Sequence, residues 1–218
     1  MSIHQDPKYQ SGDPPAPAEV ADGVIISSDT RRENRIPPHQ SRTRKWPVLH
    51  YGSVPHIDLA TWRLDIRGLV ERPLSFTWEE YRALPRVKVF SDFHCVTQWS
   101  RLGNLWEGVS VREMMGRAGI KADARFVIPS GYDRGWTTNL PLADFLAEDA
   151  LLADTHDGEP LDRDHGGPVR LVVPQLYAWK SAKWLKSIEL TATDHPGYWE
   201  QGGYHNHGDP WREERFGG

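Results

Sequence analysis

The sequence predicts an α+β domain dominated by short strands, with a few short helices. Three observations lead there. Trp62, Leu64 and Ile66 alternate with Arg63, Asp65 and Arg67 ahead of Gly68, the two-residue period of a half-buried strand. Thr77-Trp-Glu-Glu80 and Ser110-Val-Arg-Glu113 each place a hydroxyl three residues before a carboxylate, the spacing with which a capping box satisfies the free amides of a helix start. The strand-like and helix-like segments alternate irregularly, which argues against a doubly wound nucleotide-binding sheet.

In chain order, residues 1–45 are polar and broken by Pro14, Pro15, Pro17, Pro37 and Pro38, so they are expected to form an arm without a core of its own. The second half of the arm carries Arg31, Arg32, Arg35, Arg42, Arg44 and Lys45 against a single Glu, either as cations for a phosphate or as a solvated face. A single folded domain is expected over 46–195. After the strand near residue 64 come a helix from Thr77, a strand over Val87–Phe93, a loop containing Gly103, Asn104 and Gly108, and a helix from Ser110 that stops near Gly119. Further strands are expected at Arg125–Ile128, Val169–Val173 and Ser187–Thr191. Residues 196–218 hold Trp199, Tyr204, Trp211 and Phe216, too aromatic for a free tail, and are expected to pack back on the domain.

Composition narrows the function classes. The 218 residues contain 26 Lys and Arg against 30 Asp and Glu, a net charge of -4, so no global positive field draws the chain to nucleic acid. No apolar run of spanning length and no leader pattern is seen; the expectation is a cytoplasmic protein without a membrane segment. One cysteine, Cys95, excludes an internal disulfide and any multi-cysteine metal site. It remains a nucleophile, a redox thiol, a lone soft ligand or a small buried hydrophobe.

Cys95 sits in Ser91-Asp-Phe-His-Cys-Val-Thr-Gln-Trp-Ser100, where a strand gives way to a loop, a common place to display a reactive group. One thiolate suits a soft metal whose other ligands come from elsewhere, such as a cofactor. In His165-Gly-Gly-Pro-Val-Arg-Leu-Val-Val-Pro174, Arg170 interrupts an apolar strand; Val169, Leu171 and Val173 would share one face and Arg170 and Val172 the other. A guanidinium there calls for an anion, either a ligand phosphate or a buried carboxylate. Tyr177-Ala-Trp-Lys-Ser-Ala-Lys-Trp-Leu-Lys-Ser187 sets small residues among lysines, so a backbone can approach a ligand closely while Lys180 or Lys183 meets its charge.

Together, Phe93-His-Cys-Val-Thr-Gln-Trp-Ser100, Leu105-Trp-Glu-Gly-Val109, Arg163-Asp-His-Gly-Gly-Pro-Val-Arg170, Leu171-Val-Val-Pro174 and Lys180-Ser-Ala-Lys-Trp-Leu-Lys-Ser-Ile188 resemble, in order and spacing, the molybdopterin-binding domain of the sulfite-oxidase family from about Trp46 to Thr193. The resemblance implies a β-rich mixed fold and a molybdenum–molybdopterin cofactor (Mo-MPT) in which Cys95 is both the metal ligand and the catalytic residue. It implies that His165 and Arg170 hold the pterin and its phosphate, that Ser181, Ala182 and Lys183 supply amides and a cation, and that His50, Tyr51 and Ser130 also contact the cofactor.

Sulfite oxidases proper carry basic residues just after the cysteine, whereas Val96-Thr97-Gln98-Trp99-Ser100 is similar to the bacterial methionine-sulfoxide reductase branch, with Thr97 where that branch has an acid. The resemblance therefore implies oxygen-atom transfer on a small S- or N-containing substrate, sulfoxide or N-oxide reduction ahead of sulfite oxidation. With no haem-binding segment in the sequence, it implies no haem and a separate electron-transfer partner. Two rivals are a non-catalytic molybdopterin carrier and a thiol-redox protein using Cys95. Near the end, His205-x-His207 offers a zinc or copper pair or a polar loop, and Tyr132, Trp136, Trp199 and Tyr204 offer either a substrate funnel or packing.

Overall fold

The computed structural model of the protein describes residues 2–3 and 20–217, so Pro14, Pro15 and Pro17 of the expected arm lie outside the described residues. Two sheets, each adding short edge strands, carry the architecture. The first runs in the order β10 (Leu140–Pro141), β9 (Phe126–Gly131), β14 (Leu185–Thr191), β5 (Leu64–Gly68), β6 (Leu74–Phe76). Its pairs are antiparallel except β14 with β5, which run parallel with Ile188 opposite Ile66. Leu64 and Ile66 are fully buried while Asp65 and Arg67 are not, as the period-two pattern requires.

The second sheet is built on a long hairpin, β7 (Val87–Cys95) and β8 (Trp99–Ser110), which continues through β11 (Leu151–His156) to β12 (Glu159–Pro160), with β13 (Arg170–Val172) also paired to β11. The stretch from Gly103 to Gly108, expected to be a loop, is strand. Its glycine at 108 allows β11 to come close, since a Cβ there would lie 1.9 Å from Leu152 O. The irregularity shows instead as a register shift between Ser91 and Phe93, where the Asp92 carboxylate accepts from Gly103 N at 2.8 Å and the Asn104 amide donates to Ser91 O at 3.1 Å.

The basic half of the arm joins this sheet. β2 (Ile25–Ile26) pairs in parallel with β7, and β3 (Ser41–Arg42) with β8; Arg35 forms a buried ion pair with Asp92 at 2.6 Å. β1 (Ser2–Ile3) pairs with β4 (Pro47–Val48).

The helices are short: α1 (Trp78–Arg82), α2 (Val111–Ala118), α3 (Leu142–Phe145) and α4 (Tyr198–Gln201). Thr77 and Glu80 close a full capping box on α1. On α2 the box is incomplete, because Ser110 accepts from Arg112 N and Glu113 is drawn along the helix to Arg117, at 2.6 Å.

Alternation along the strands divides the interior in two. Val109, Leu152, Val169, Leu171 and Val173 join the main core with β5, β9, β14 and α2. Leu151, Ala153 and Val172 face the other way, into a smaller cluster with Trp46, Phe93 and Trp106. Arg170 lies on that second face, and the two sheets thereby carry it to the edge of a cleft. No helix among the described residues is long and apolar enough to cross a membrane.

Candidate active site

A cleft of about 220 Å³ opens beside the smaller cluster. The turn Val96–Gln98, which links β7 to β8, places Cys95 at the end of a paired strand, with Gln98 at φ 66° closing the turn by donating its amide to Cys95 O at 3.0 Å. Burial pushes the Cys95 thiol above its ordinary range; the Thr97 hydroxyl, 3.2 Å from Sγ, and the charges of Lys183 and Arg215 pull it back in part. A buried, protonated thiol is a poor nucleophile, which counts against the thiol-redox reading. A metal binding there would displace the proton.

Arg170 is 2 % exposed and among the described residues has no carboxylate within ion-pair distance. Its guanidinium donates to His165 O at 2.8 Å and Ser181 O at 3.1 Å, and lies over the rings of Phe93, Trp106 and Trp46 at 5.1, 5.6 and 5.7 Å. Burial drops its pKa to about 9. The buried-carboxylate alternative is thereby removed for this residue.

Lys183 behaves similarly. Its ammonium donates only to backbone carbonyls, Leu49 O at 2.9 Å and Asp164 O at 2.6 Å, and burial, followed by the Arg170 charge, lowers its pKa to about 7. Two cations held by neutral carbonyls beside one cleft are chemically suited to an anion.

Of the residues predicted to contact a cofactor, His50, Tyr51, Arg170, Ser181 and Lys183 line the cleft together with Cys95. Three others do not. His165 is wholly buried behind it, its ring bonded to Asp162 at 2.9 Å and to Trp46 O at 3.1 Å and stacked on Trp46 at 3.8 Å; it shapes the wall through Trp46. Ala182 belongs to the main core, while its neighbours Ser181 and Lys183 line the cleft. Ser130 faces Ser187 across the first sheet, hydroxyl to hydroxyl at 2.6 Å.

The aromatic expectations divide in the same way. Trp136, Trp199 and Tyr204 line the cleft, whereas Tyr132 bonds through its hydroxyl to the Arg63 backbone at the sheet edge. Residues missed in the sequence include Trp46, Phe93, Trp99 and Asp133, all on the cleft wall. The aromatic ones carry no local pattern that separates them from core residues.

At the chain's end, His207 spends its two ring nitrogens on Glu214 at 2.8 Å and Asp144 at 3.1 Å, and His205 accepts from the amides of His207 and Gly208. No group of three or more metal-suited His, Cys, Asp or Glu side chains forms among the described residues, so the zinc or copper pair resolves into a polar clasp.

Residues 51–199 match the model of the family described as an oxidoreductase molybdopterin binding domain. The chain belongs to this sulfite-oxidase-like family of molybdenum oxidoreductases. Within it, the chain is 50% identical over 186 residues to "Uncharacterized oxidoreductase YuiH" of Bacillus subtilis, covering 85% of this chain and 93% of that one. It is 31% identical over 172 residues to "Putative protein-methionine-sulfoxide reductase subunit YedZ1" of Azospira oryzae, covering 78% of this chain and 65% of the relative. The fold resembles the sulfane dehydrogenase SoxCD of Paracoccus pantotrophus, with a TM-score of 0.61 at 25% identity over 66% of this chain and 41% of that one. The molybdopterin oxidoreductase reading of the cysteine, arginine and lysine segments thus holds at the level of family, fold and enzyme class.

Proposed function

We propose that this molybdopterin oxidoreductase exchanges an oxygen atom with a small sulfoxide or N-oxide, reducing it, and takes its electrons from a separate protein partner. The observation that carries the reading is the pairing, on the wall of a single cleft, of one buried thiol with two cations that hydrogen-bond to backbone carbonyls and form no direct ion pair among the described residues. The donor set fits the group the family binds: soft sulfur for a metal, guanidinium and ammonium for a phosphate.

In the bound state Arg170 and Lys183 hold the pterin phosphate, Ser181 and the His50–Tyr51 segment border it, and Cys95 ligates the metal. The molybdenum cofactor supplies two-electron oxygen-atom exchange when bound. The protein's own part is orientation and exclusion of water. Trp99, Trp136, Trp179 and Trp199 form an apolar wall around the thiol, and the Thr97 hydroxyl fixes the position of Sγ.

The same wall supports the choice of substrate class. Its cations are engaged at the anion receptor, and Thr97 stands where a basic or acidic group would change the field beside Cys95. Aromatic rings suit a neutral sulfoxide and the thioether product, whose sulfur makes favourable contacts with them, better than a doubly charged oxyanion. The relative named as a reductase subunit supports a separate electron partner.

The test is turnover of the molybdenum-loaded protein with reduced viologen as electron donor. Dimethyl sulfoxide or trimethylamine N-oxide is expected to be reduced faster than sulfite is oxidised with ferricyanide. Faster sulfite oxidation would overturn the substrate assignment, and loaded protein inert toward all three would overturn the reading as a whole.

A further inference from the structure

The turn that carries Cys95 is tied to two parts of the chain far from it in sequence. Cys95 O accepts from the Gln40 side-chain amide at 3.0 Å, and Val96 O accepts from Arg215 Nη1 at 2.8 Å. The other arm of the same guanidinium, Nη2, donates to Pro38 O at 3.2 Å, and His39 pairs with Glu213. Three successive residues, Pro38, His39 and Gln40, thus join the chain's end to the turn of the thiol. We propose that Arg215 is a positioning residue for the Cys95 ligand: it fixes the turn through the carbonyl of the next residue and holds a positive charge near the sulfur, which raises the reduction potential of the metal. The inference rests on the reading of Cys95 as the ligand to molybdenum.

Arg215 is placed for this task. It is 9% exposed, and its guanidinium lies over the Tyr177 ring at 5.2 Å. Its carboxylate neighbour, Glu213, stands 4.0 Å off, and the same oxygen is shared with His39. The two arms of the fork hold carbonyls of two different segments, which a planar guanidinium can do and a single ammonium does less well.

The charge reaches the sulfur as well. Lys183 and Arg215 are the two cations whose fields favour the thiolate form of Cys95. Lys183 lines the cleft on the cofactor's side, whereas Arg215 stands outside it and meets the turn through Val96 O. A cation beyond the direct ligands favours the electron-richer metal, and a carbonyl held by it limits the movement of the turn. A role confined to fastening the C-terminal segment would need the hydrogen bonds alone, so the charge is the part that separates the two.

The test compares molybdenum-loaded wild type with Arg215→Met, Arg215→Gln and Arg215→Lys, matched for metal content. Arg212→Met, equal in net charge to the neutral variants and 72% exposed in its side chain, is the control. The reduction potential is read by redox titration of the molybdenum(V) electron paramagnetic resonance signal. R215M is expected to shift the equilibrium about tenfold toward the oxidised metal, about 59 mV lower for a one-electron step. R215Q is expected to match it, and gives the same reading if R215M does not fold. R215K is expected to recover most of the shift, and R212M to show none. In the metal-free protein, exchange of the Gln98 amide, which is bonded to Cys95 O, is expected to be several-fold faster in the neutral variants. Wild-type potential in the neutral variants, or an equal shift in R212M, would overturn this inference alone. Sulfur coordination of the metal unchanged by Cys95→Ser would overturn the ligand reading and this inference with it.

Discussion

Arg170 and Lys180 are both buried cations, ten residues apart, and their surroundings differ in kind. Lys180 is 0% exposed and fully paired: its ammonium meets Glu200 at 2.7 Å, Asn139 O and Oδ1 at 2.9 Å, and Asn206 O at 2.6 Å. Glu200 is held in turn by Trp179 Nε1 at 2.9 Å and the Thr138 hydroxyl at 2.8 Å, so the pair fastens the C-terminal segment to the domain. Arg170 touches carbonyls and rings, with Asp162 acting on it only at a distance and no direct ion pair among the described residues. A buried cation with its counter-ion supplied by the chain is structural; one beside a cleft without a counter-ion is waiting for a ligand.

The largest effect expected from this contrast is at the paired site. Lys180→Met leaves the Glu200 carboxylate buried without its cation and is expected to cost about 3–5 kcal/mol of stability, read from the urea unfolding midpoint. Arg170→Met removes a charge held by carbonyls and rings and by no direct ion pair among the described residues, and the metal-free protein is expected to stay within about 2 kcal/mol of wild type in the same assay, while retention of molybdopterin falls about tenfold or more. Equal destabilisation by the two substitutions would erase the distinction.

Lys183 sharpens the comparison through pH. Its folded pKa, about 7, lies below the ordinary lysine value of 10.5, so the unfolded chain binds more protons between those limits. Stability of the metal-free protein is expected to rise with pH across that window, and Lys183→Met to flatten the rise; a bound anion would hold the proton on Lys183 and shift the window upward. Comparing unfolding midpoints of the two proteins at several pH values checks it.

The smallest effect belongs to the clasp at the chain's end. His207 is raised to about 9, first by its hydrogen bond to Asp144 and then by Glu214. Because the folded value exceeds the ordinary 6.5, its contribution is complete below the unfolded pKa and is lost as pH rises through about 9. His207→Gln is therefore expected to lower the thermal midpoint slightly at acidic pH and not at pH above the folded value, with the partly exposed pair screened by solvent.

How much of this was legible in the sequence depends on whether the information is local. The Leu64–Ile66 alternation and the Thr77 capping box are local, and both elements form. So is the division of Val169, Leu171 and Val173 from Arg170 and Val172, which the two clusters reproduce. The long β8 strand was hidden because its glycines serve a close strand approach and a register shift, features that only β7 and β11 reveal. β11 itself carries no alternating pattern, since it is buried on both faces.

At the site, the cysteine, arginine and lysine segments were readable because each breaks a rule of its own surroundings. The ring of His165, expected at the cofactor, packs on Trp46 and bonds its carbonyl, a contact 119 residues away that no local pattern announces. Asp133 stands in an ordinary turn of Gly, Asp and Arg, and its unpaired oxygen exists only after folding.

The central claim is that Cys95 is the protein's ligand to molybdenum. Molybdenum-edge X-ray absorption of the cofactor-loaded wild type beside Cys95→Ser measures it directly. One fewer sulfur neighbour in the variant, with the pterin still bound through Arg170 and Lys183, is the predicted result; identical sulfur coordination in the two proteins would contradict it.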